Sequence, residues 1–203
     1  RLVKFFMFMM SAVVLLAMIG AGGGVYLLWH YGRDLPDYKQ LADYEPPTAT
    51  RIHAGDGRLI TEYATENRVF VPIKSIPREI IHGFVAAEDQ NFFSHHGVDP
   101  LALARAVAQN VLNYFRNRRF IGASTITQQV AKNFLLTNER SFERKFKEII
   151  LATRMEQVLS KDQILELYLN EIYLGARAYG VAAAAANYFG KPLESITVAE
   201  AAY

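Results

Sequence analysis

The first 31 residues differ from the rest of the chain in their pattern of apolar and polar positions. No charged residue occurs from Phe5 to Trp29, and only Ser11, Tyr26 and several glycines interrupt the apolar series. At ~1.5 Å per residue, a helix of this length can cross the ~30 Å hydrocarbon core of a bilayer. The pattern predicts one transmembrane helix, retained as an anchor, within residues 1–31.

A cleavable signal peptide is the alternative interpretation of this span. Its apolar region would be only about 7–15 residues long and would end at a site of small residues. Ala21–Gly24 loosely resembles such a site, but Val25–Trp29 continues the apolar run beyond it. Arg1 and Lys4 precede the span, whereas acidic residues outnumber basic ones in 32–46. The positive-inside rule therefore predicts a cytoplasmic N-terminus and a single-pass protein whose domain lies outside the cytoplasm.

Residues 32–67 have the pattern of a linker. A polar stalk leads to Pro46-Pro47, and Thr50–Tyr63 then places two short β-prone pieces around Gly55-Asp56-Gly57. That arrangement is typical of a β-hairpin. The apolar run Val69–Ile73 is the candidate for a further strand.

From residue 68 to 203 apolar positions recur at helical spacing, which predicts one mainly α-helical domain. Asp99-Pro100 should open a helix, with the aspartate as N-cap and the proline at the first helical position. A capping box at Thr197 and Glu200, cut short at Tyr203, suggests a fragment of a longer protein. The fourth of the predicted helices follows Asn138, the fifth is capped by Ser160 and Gln163 and ends near Gly175, and a sixth, alanine-rich helix covers roughly 181–189. The first five carry apolar stripes at Ile80, Ile81, Phe84 and Val85; Leu103, Val107, Val111 and Leu112; Ile126, Val130 and Phe134; Phe142, Phe146, Ile149 and Ile150; and Ile164, Leu165, Tyr168 and Leu169.

Composition and charge narrow the choice of function. The net charge of the 203 residues is only +2, so the chain is not a polycation of the kind that binds nucleic acid. The absence of cysteine excludes disulfides, thiolate metal sites and a cysteine nucleophile. Residues 113–122 interleave aromatic and arginine side chains, a mixture that suits nucleic acid or an anionic membrane surface. The predicted topology favours the membrane, and an ordinary exposed loop is the alternative.

Ala87–Gly97 follows an apolar run with two acids, two aromatics and two histidines. Glu88 lies four residues after Phe84 and thus extends the stripe predicted to be buried. A carboxylate there should be poorly solvated, which suits proton transfer near neutral pH. Acids at a helix C-terminus also oppose the macrodipole, a local conflict that hints at function. The alternatives are a solvated helix end and a metal site, but adjacent histidines diverge and no HExxH spacing is present.

Two later stretches combine hydroxyl, amide and basic groups. In Gly122–Asn133 a helix should begin with Ser124 or Thr125 as its cap. Thr125, Gln129 and Lys132 share a side well away from its apolar stripe. Such an N-terminus suits phosphate or sugar oxygens, although an ordinary capped helix also explains it. In residues 144–148 two basic residues precede a glutamate by four and three positions. Surface ion pairs are the default interpretation, and neutralisation of a diphosphate is the functional one.

Four motifs in fixed order and spacing make the combined signal specific. They are EDQNFFSHHG (88–97), GASTITQQ (122–129), RKFKE (144–148) and KDQILELYLN (161–170). Behind an N-terminal anchor, they resemble the glycosyltransferase domain of class A penicillin-binding proteins over about residues 68–203. The predicted hairpin resembles the lead-in of the bifunctional members, after which a transpeptidase would be expected. Ala123 stands where many members have a second glycine.

The resemblance implies a lysozyme-like fold with a small membrane-associated jaw at about 113–121, where Tyr114, Phe115 and Phe120 would contact lipid. It implies polymerisation of lipid II into β-1,4 glycan strands, with inversion and release of undecaprenyl pyrophosphate. Glu88 would be the general base and Glu148 the second essential glutamate. Substrate and pyrophosphate would be bound by Ser124, Thr125, Gln128, Gln129, Lys132, Arg144 and Lys145. The members with mainly architectural roles would be Asp89, Phe92 and His95, while Glu166 and Asn170 form a polar pair that belongs either to the buried structure or to the site.

Partners implied by the resemblance are lipid II, the growing glycan strand, the lipid bilayer of the bacterial inner membrane and regulators of cell-wall synthesis, with no nucleic acid. No cofactor is required and no dedicated metal site is expected, although Mg²⁺ or Mn²⁺ could assist the pyrophosphate. Two other classes remain as alternatives. One is a membrane-anchored lytic transglycosylase, which shares the fold but cleaves glycan, and the other is a non-enzymatic glycan-binding scaffold.

Overall fold

The computed structural model describes residues 1–33, 35–44, 50–63, 67–137 and 141–203. The predicted apolar span forms one continuous helix, α1 (Leu2–Tyr31), which at ~1.5 Å per residue is ~45 Å long. By length and composition, Val3–Tyr31 could cross a membrane. The large apolar side chains along this span are exposed, as lipid contact would require.

The chain directly after α1 packs onto the helical domain, whereas a purely polar stalk was predicted. Lys39–Asp43 forms a short 3₁₀ helix in which Leu41 is buried in the core. The ring of Tyr44 then meets that of Phe134 edge to face, with centroids 4.9 Å apart. Leu and Tyr side chains at helical spacing explain this packing, and Pro46-Pro47 lies outside the described residues.

The predicted hairpin is confirmed, whereas the predicted further strand is wrong. β1 (Thr50–His53) pairs antiparallel with β2 (Leu59–Tyr63). The next strand is the two-residue β3 (Asn67–Arg68), parallel to β4 (Ala178–Tyr179). Val69–Ile73 is not a strand because side chains from a distant helix, and not a neighbouring strand, accept hydrogen bonds from its backbone.

The rest of the described chain is mainly α-helical, as predicted. Asp99 accepts hydrogen bonds from the N–H groups of Leu101 and Ala102, which confirms it as an N-cap, and the two predicted capping boxes are also present. The helix predicted to end near Gly175 ends instead at Glu171, because the backbone leaves the helical region at Ile172, where ψ is 129°. The helices are α2 (Arg78–Glu88), α3 (Pro100–Phe115), α4 (Ile126–Leu135), α5 (Phe142–Met155), α6 (Lys161–Glu171), α7 (Val181–Phe189) and α8 (Val198–Ala201), with 3₁₀ turns at Ile73–Ser75 and Leu193–Ser195.

The centre of the core is formed where α4 packs against α5 and α6. Each fully buried side chain of this size contributes ~1.5–3 kcal/mol relative to an exposed one. This three-helix unit is therefore the rigid base that holds the polar residues of α4 and α5. Its fully buried members include Ile126, Val130, Leu151, Met155, Ile164, Leu165, Tyr168 and Leu169, and Phe92 of the loop after α2 is fully buried as well.

α3 and the turn after it project from this base. Asn110 exchanges two hydrogen bonds with the backbone of Ile121, and Asn113 donates to the carbonyl of Arg119. These amides fold residues 116–121 back along α3. The apolar stripe of α3 itself remains exposed at Leu103, Val107, Val111 and Leu112.

Candidate active site

A cavity of about 310 Å³ brings three of the four sequence motifs together. Both predicted catalytic glutamates border it, and the remaining lining groups come from α4 and the loop before it. Its lining residues are Glu88, Gly122, Ser124, Gln128, Gln129, Lys132 and Glu148.

Glu88 is the last residue of α2, and its side chain is exposed. The prediction of a poorly solvated carboxylate is therefore wrong. The apolar stripe before it is indeed buried at Ile80 and Val85. Glu88, however, lines both this cavity and a mainly apolar one of about 680 Å³ between α2, α7 and α8, so its carboxylate is open to both.

Two neighbours define the surroundings of the Glu88 carboxylate. Gln129 donates a hydrogen bond from Nε2 to Glu88 Oε2 over 2.7 Å. Burial, and secondly the charge of Glu88, raise the pKa of the Tyr168 phenol above its usual range. Glu88 is therefore held by an amide on α4 at the edge of the core while it stays open to a ligand.

Asp89, the residue after Glu88, is the buried one of these two adjacent acids. Its two oxygens lie 3.0 and 2.9 Å from Nε2 of His95, and one of them accepts a hydrogen bond from the backbone N–H of Ile126. A carboxylate at the N-terminus of α4 is also favoured by the helix dipole. Asp89 thus ties the end of α2 to the start of α4. Phe92 is fully buried, and Lys161 Nζ lies 4.3 Å from its ring centroid.

Glu148 is buried on α5, its side chain only 4% exposed, so the surface-ion-pair interpretation of RKFKE is wrong. Lys145 Nζ donates to Glu148 Oε2 over 2.8 Å. Arg144 Nε lies 3.1 Å from Oε1, but the angle is too poor for a hydrogen bond. A buried carboxylate of this kind needs its cations close by, since desolvation of an unpaired charge is costly.

The two cleft lysines differ in how they are bonded. Lys145 Nζ directs its three protons to Ser124 Oγ at 2.7 Å, Gln128 Oε1 at 3.2 Å and Glu148 Oε2 at 2.8 Å. Lys145 thus bonds three residues that line the cavity without lining it, whereas Lys132 borders the cavity itself, and among the described residues no carboxylate lies within ion-pair distance of Lys132. Lys132 is therefore available to an anion directly, whereas Lys145 acts through its position.

Thr125 lies beneath the cavity wall. It is buried, caps α4 through a capping box with Gln128, and donates from Oγ1 to the carbonyl of Gly97 over 2.6 Å. Gly97 has φ +87°, and a Cβ there would come within 2.6 Å of the backbone of Ala152. Thr125 thus clamps the EDQNFFSHHG loop between α4 and α5.

A set of polar contacts that the sequence did not indicate links α4 to the end of α5 and the start of α6. Thr127 is fully buried and donates to Oε1 of Glu156 over 2.6 Å, and Lys161 forms an ion pair with the same carboxylate at 2.7 Å. Thr127 precedes Glu156 by 29 positions along the chain. No local pattern could therefore have paired these two residues.

Glu166 and Asn170 do not line the cavity. Asn170 exchanges hydrogen bonds with the backbone of Val71, and Glu166 accepts one from the N–H of Ile73. These contacts favour the buried-structure alternative for this pair. Among the described residues, no group of three or more acidic, cysteine or histidine side chains could hold a metal ion.

The predicted membrane-contacting aromatics lie away from the cavity, at the end of α3. Tyr114, Phe115 and Phe120 are 71%, 80% and 67% exposed. With the exposed side of α3 they border a shallow apolar groove of about 430 Å³. Three arginines, at 116, 118 and 119, flank this groove on exposed positions.

Comparisons with known proteins agree with this geometry. The family model described as transglycosylase matches residues 56–203. The chain is 56% identical over 200 residues to penicillin-binding protein 1A of Rickettsia felis, 45% over 203 residues to that of Escherichia coli, and 47% over 178 residues to that of Aquifex aeolicus. These alignments cover 98%, 100% and 88% of this chain but 25%, 23% and 24% of the relatives. The chain therefore spans about a quarter of the length of the curated relatives it matches.

Proposed function

We propose, since the chain belongs to the transglycosylase family, that its helical domain is a peptidoglycan glycosyltransferase. Its substrates would be lipid II, an undecaprenyl-pyrophosphate disaccharide-pentapeptide, and the growing glycan strand. One observation carries the proposal: the exposed carboxylate of Glu88 shares a cavity with Lys132, which has no ion-pair partner among the described residues, and with the buried Glu148, which holds two further cations.

Glu88 acts as the general base. It takes the proton from the 4-hydroxyl of the acceptor while that oxygen attacks the anomeric carbon of the donor strand. The bond from this carbon to the pyrophosphate breaks, the configuration inverts, and a β-1,4 linkage forms as undecaprenyl pyrophosphate leaves. Proton transfer of this kind needs a carboxylate within hydrogen-bond reach of the hydroxyl. The Gln129 amide, bonded to Oε2, orients Glu88 for it.

The cations stabilise the negative charge that develops on the pyrophosphate. Fixed charges aimed at a leaving group lower the barrier because they need no reorganisation during the reaction. Lys132 contacts phosphate oxygens directly, and Glu148 holds Arg144 and Lys145 beside them. A Mg²⁺ or Mn²⁺ ion that assists this step would be held mainly by the phosphates, since the described residues offer no cluster of ligands.

A lipid-linked substrate requires the site to lie close to a bilayer. α1 would supply the single-pass anchor, and Tyr114, Phe115 and Phe120 would enter the membrane surface while the neighbouring arginines meet anionic headgroups. The positive-inside rule places the domain on the extracytoplasmic side of the bacterial inner membrane.

The test is the Glu88→Gln variant, which keeps the shape of the side chain and removes the base. We expect chain growth from labelled lipid II to fall ~10³-fold, within the usual range for loss of a general base. Glu79→Gln is the matched control, because Glu79 is exposed on the same helix. Near-normal chain growth by Glu88→Gln at an unchanged unfolding temperature would refute the assignment.

The same assay separates the two rival classes. Release of anhydro-sugars from finished peptidoglycan, without chain growth from lipid II, would identify a lytic enzyme. Binding of glycan without turnover of either material would identify a scaffold.

A further inference from the structure

The first turn of α5 presents an aromatic side chain that no part of the described fold covers. Phe142 is 89% exposed, whereas Phe146, one turn later, is half-buried. We propose that this end of α5, led by Phe142, is a second membrane-contact surface, seated in the headgroup region beside the end of α1.

Contacts between α1 and α5 define which end of α5 faces the bilayer. The pKa of Glu143 is lowered mainly by Lys147, and also by the nearby side chain of His30. The ring of Tyr31 stacks on Phe146, with centroids 5.8 Å apart and planes 5° from parallel.

One residue further along, a Cβ at Gly32 would lie 3.2 Å from a guanidinium nitrogen of Arg154. Successive residues at the end of α1 therefore meet α5 in order, from its first turn to its last. α1 rises only ~3 Å over these three residues while their partners span most of α5, so the two helices cross steeply. Because α1 is leaving the bilayer and His30 precedes the other two contact residues, the first turn of α5 is the part nearest to the lipid.

The side chains around the end of α1 indicate its depth. Trp29 and Tyr31 are of the type that marks the membrane–water interface. Arg33 folds back so that its guanidinium lies 3.7 Å from the centroid of the Trp29 ring, as expected for a cation at the headgroup level. Phe142 precedes the residue that faces His30 by one position, or ~1.5 Å along the helix. Its ring thus lies at the depth of this interfacial belt.

Continuity with α1 argues for lipid over a protein partner as the occupant. The exposed ring lies at the level where a spanning helix must already meet headgroups, so any bilayer that holds α1 also borders Phe142. This surface is separate from the aromatic groove of α3.

The matched control for this surface is Phe93. It is also an exposed aromatic, at 58%, but it packs against Phe92, whose ring lies beside Lys161 at the start of α6. The chain reaches α6 only after the far end of α5. Among the described residues, the ring partners of Phe93 and Phe92 all lie outside α1 and α5, so we expect Phe93 to lie away from the proposed surface.

The experiment uses the full chain in vesicles of phosphatidylethanolamine and phosphatidylglycerol. Trp29, the only tryptophan, is replaced by Phe, and either Phe142→Trp or Phe93→Trp is added. Lipids brominated near the top of the acyl chain should quench the F142W variant at least twofold, and aqueous iodide should quench it weakly. For F93W we expect strong quenching by iodide and none by brominated lipid.

Equal quenching of the two variants by iodide, or by brominated lipid, would overturn the proposal. So would quenching of F142W that depends on the protein-to-lipid ratio, because a second copy of the chain would then cover the ring. Both positions are exposed, so both variants should keep the parent's unfolding temperature. The readout needs no enzymatic turnover and is therefore independent of the proposed function.

Discussion

α3 and α4 depart from the usual rule of apolar inside and polar outside, in opposite directions. Of the ten residues of α4, five are buried, and two of these are the polar Thr127 and Gln128. Of the sixteen residues of α3, only Asn113 is buried, while its apolar stripe is exposed. Both helices nevertheless have an amphipathic sequence.

The difference shows that the available partners decide what an amphipathic helix buries. α4 can bury polar groups because each has a partner: Glu156 accepts from Thr127, and Gln128 bonds both Lys145 and the backbone of Thr125. α3 has no protein surface opposite its stripe in the described chain, which fits the lipid contact proposed for its aromatic end. An inverted surface of either kind is a stronger indication of function than sequence polarity alone.

The largest effect on stability is expected where the loop meets the helices of the core. Gly97→Ala should lower the free energy of unfolding by about 3 kcal/mol or more, because it combines left-handed backbone with contact against Ala152. Gly57→Ala is the control: its φ is +84°, but no atom of the described residues lies within 4 Å of the added Cβ, so a loss of ~1 kcal/mol is expected. Thermal unfolding in detergent measures both, and equal losses would contradict the close approach.

The next effect concerns the buried carboxylate of Glu148, which lies on α5 and borders the same cavity as α4. Glu148→Gln should reduce lipid II polymerisation ~100-fold, because Lys145 and Arg144 lose the charge that holds them beside the leaving group. If Glu88 alone is the base, the shape of the pH–rate profile should stay that of the wild type. A changed profile would mean that the two glutamates share the proton.

A matched pair of valines tests the comparison itself. Val130→Ala on α4 should cost ~2 kcal/mol, because the valine is only 1% exposed and its loss leaves a cavity. Val107→Ala on α3 should cost less than ~0.5 kcal/mol, since that valine is 57% exposed. Unfolding in detergent distinguishes them, and a similar loss at both positions would show that α3 packs against protein.

The smallest effect concerns how α3 is attached. The N–H of Ala102 and the amide of Asn91 are the main causes that hold the pKa of Asp99 below its ordinary value of 3.8. The ionised Asp99 carboxylate therefore stabilises the folded state at pH values above 3.8. This stabilisation is lost as the pH falls through the lower pKa of the folded state. Asp99→Ala should cost ~1 kcal/mol at neutral pH, and its difference from wild type should shrink in acid. Asp99→Asn, which still caps, should cost little; a pH-independent difference for Asp99→Ala would contradict the assignment.

Features that depend on neighbours in the chain could be predicted from the sequence. The length of α1, the hairpin around Gly57, and the caps at Asp99, Ser160 and Thr197 each rest on interactions within a few residues. The spacing of Arg144, Lys145 and Glu148 likewise predicts their contact, because i, i+3 and i, i+4 neighbours meet on any helix. The grouping of Glu88 and Glu148 at one site followed only from the joint order of four motifs.

Features that depend on what packs opposite a residue were decided by the tertiary structure. Periodicity predicted Glu88 to be buried, yet it is exposed while Asp89 and Glu148 are buried. Val69–Ile73 was predicted to form a strand, but its backbone N–H groups donate to side chains of α6, nearly a hundred residues distant. A helical or strand period tells which residues share a face. Burial, hydrogen-bond partners and the ion pairing of a lysine depend on atoms supplied by distant parts of the chain.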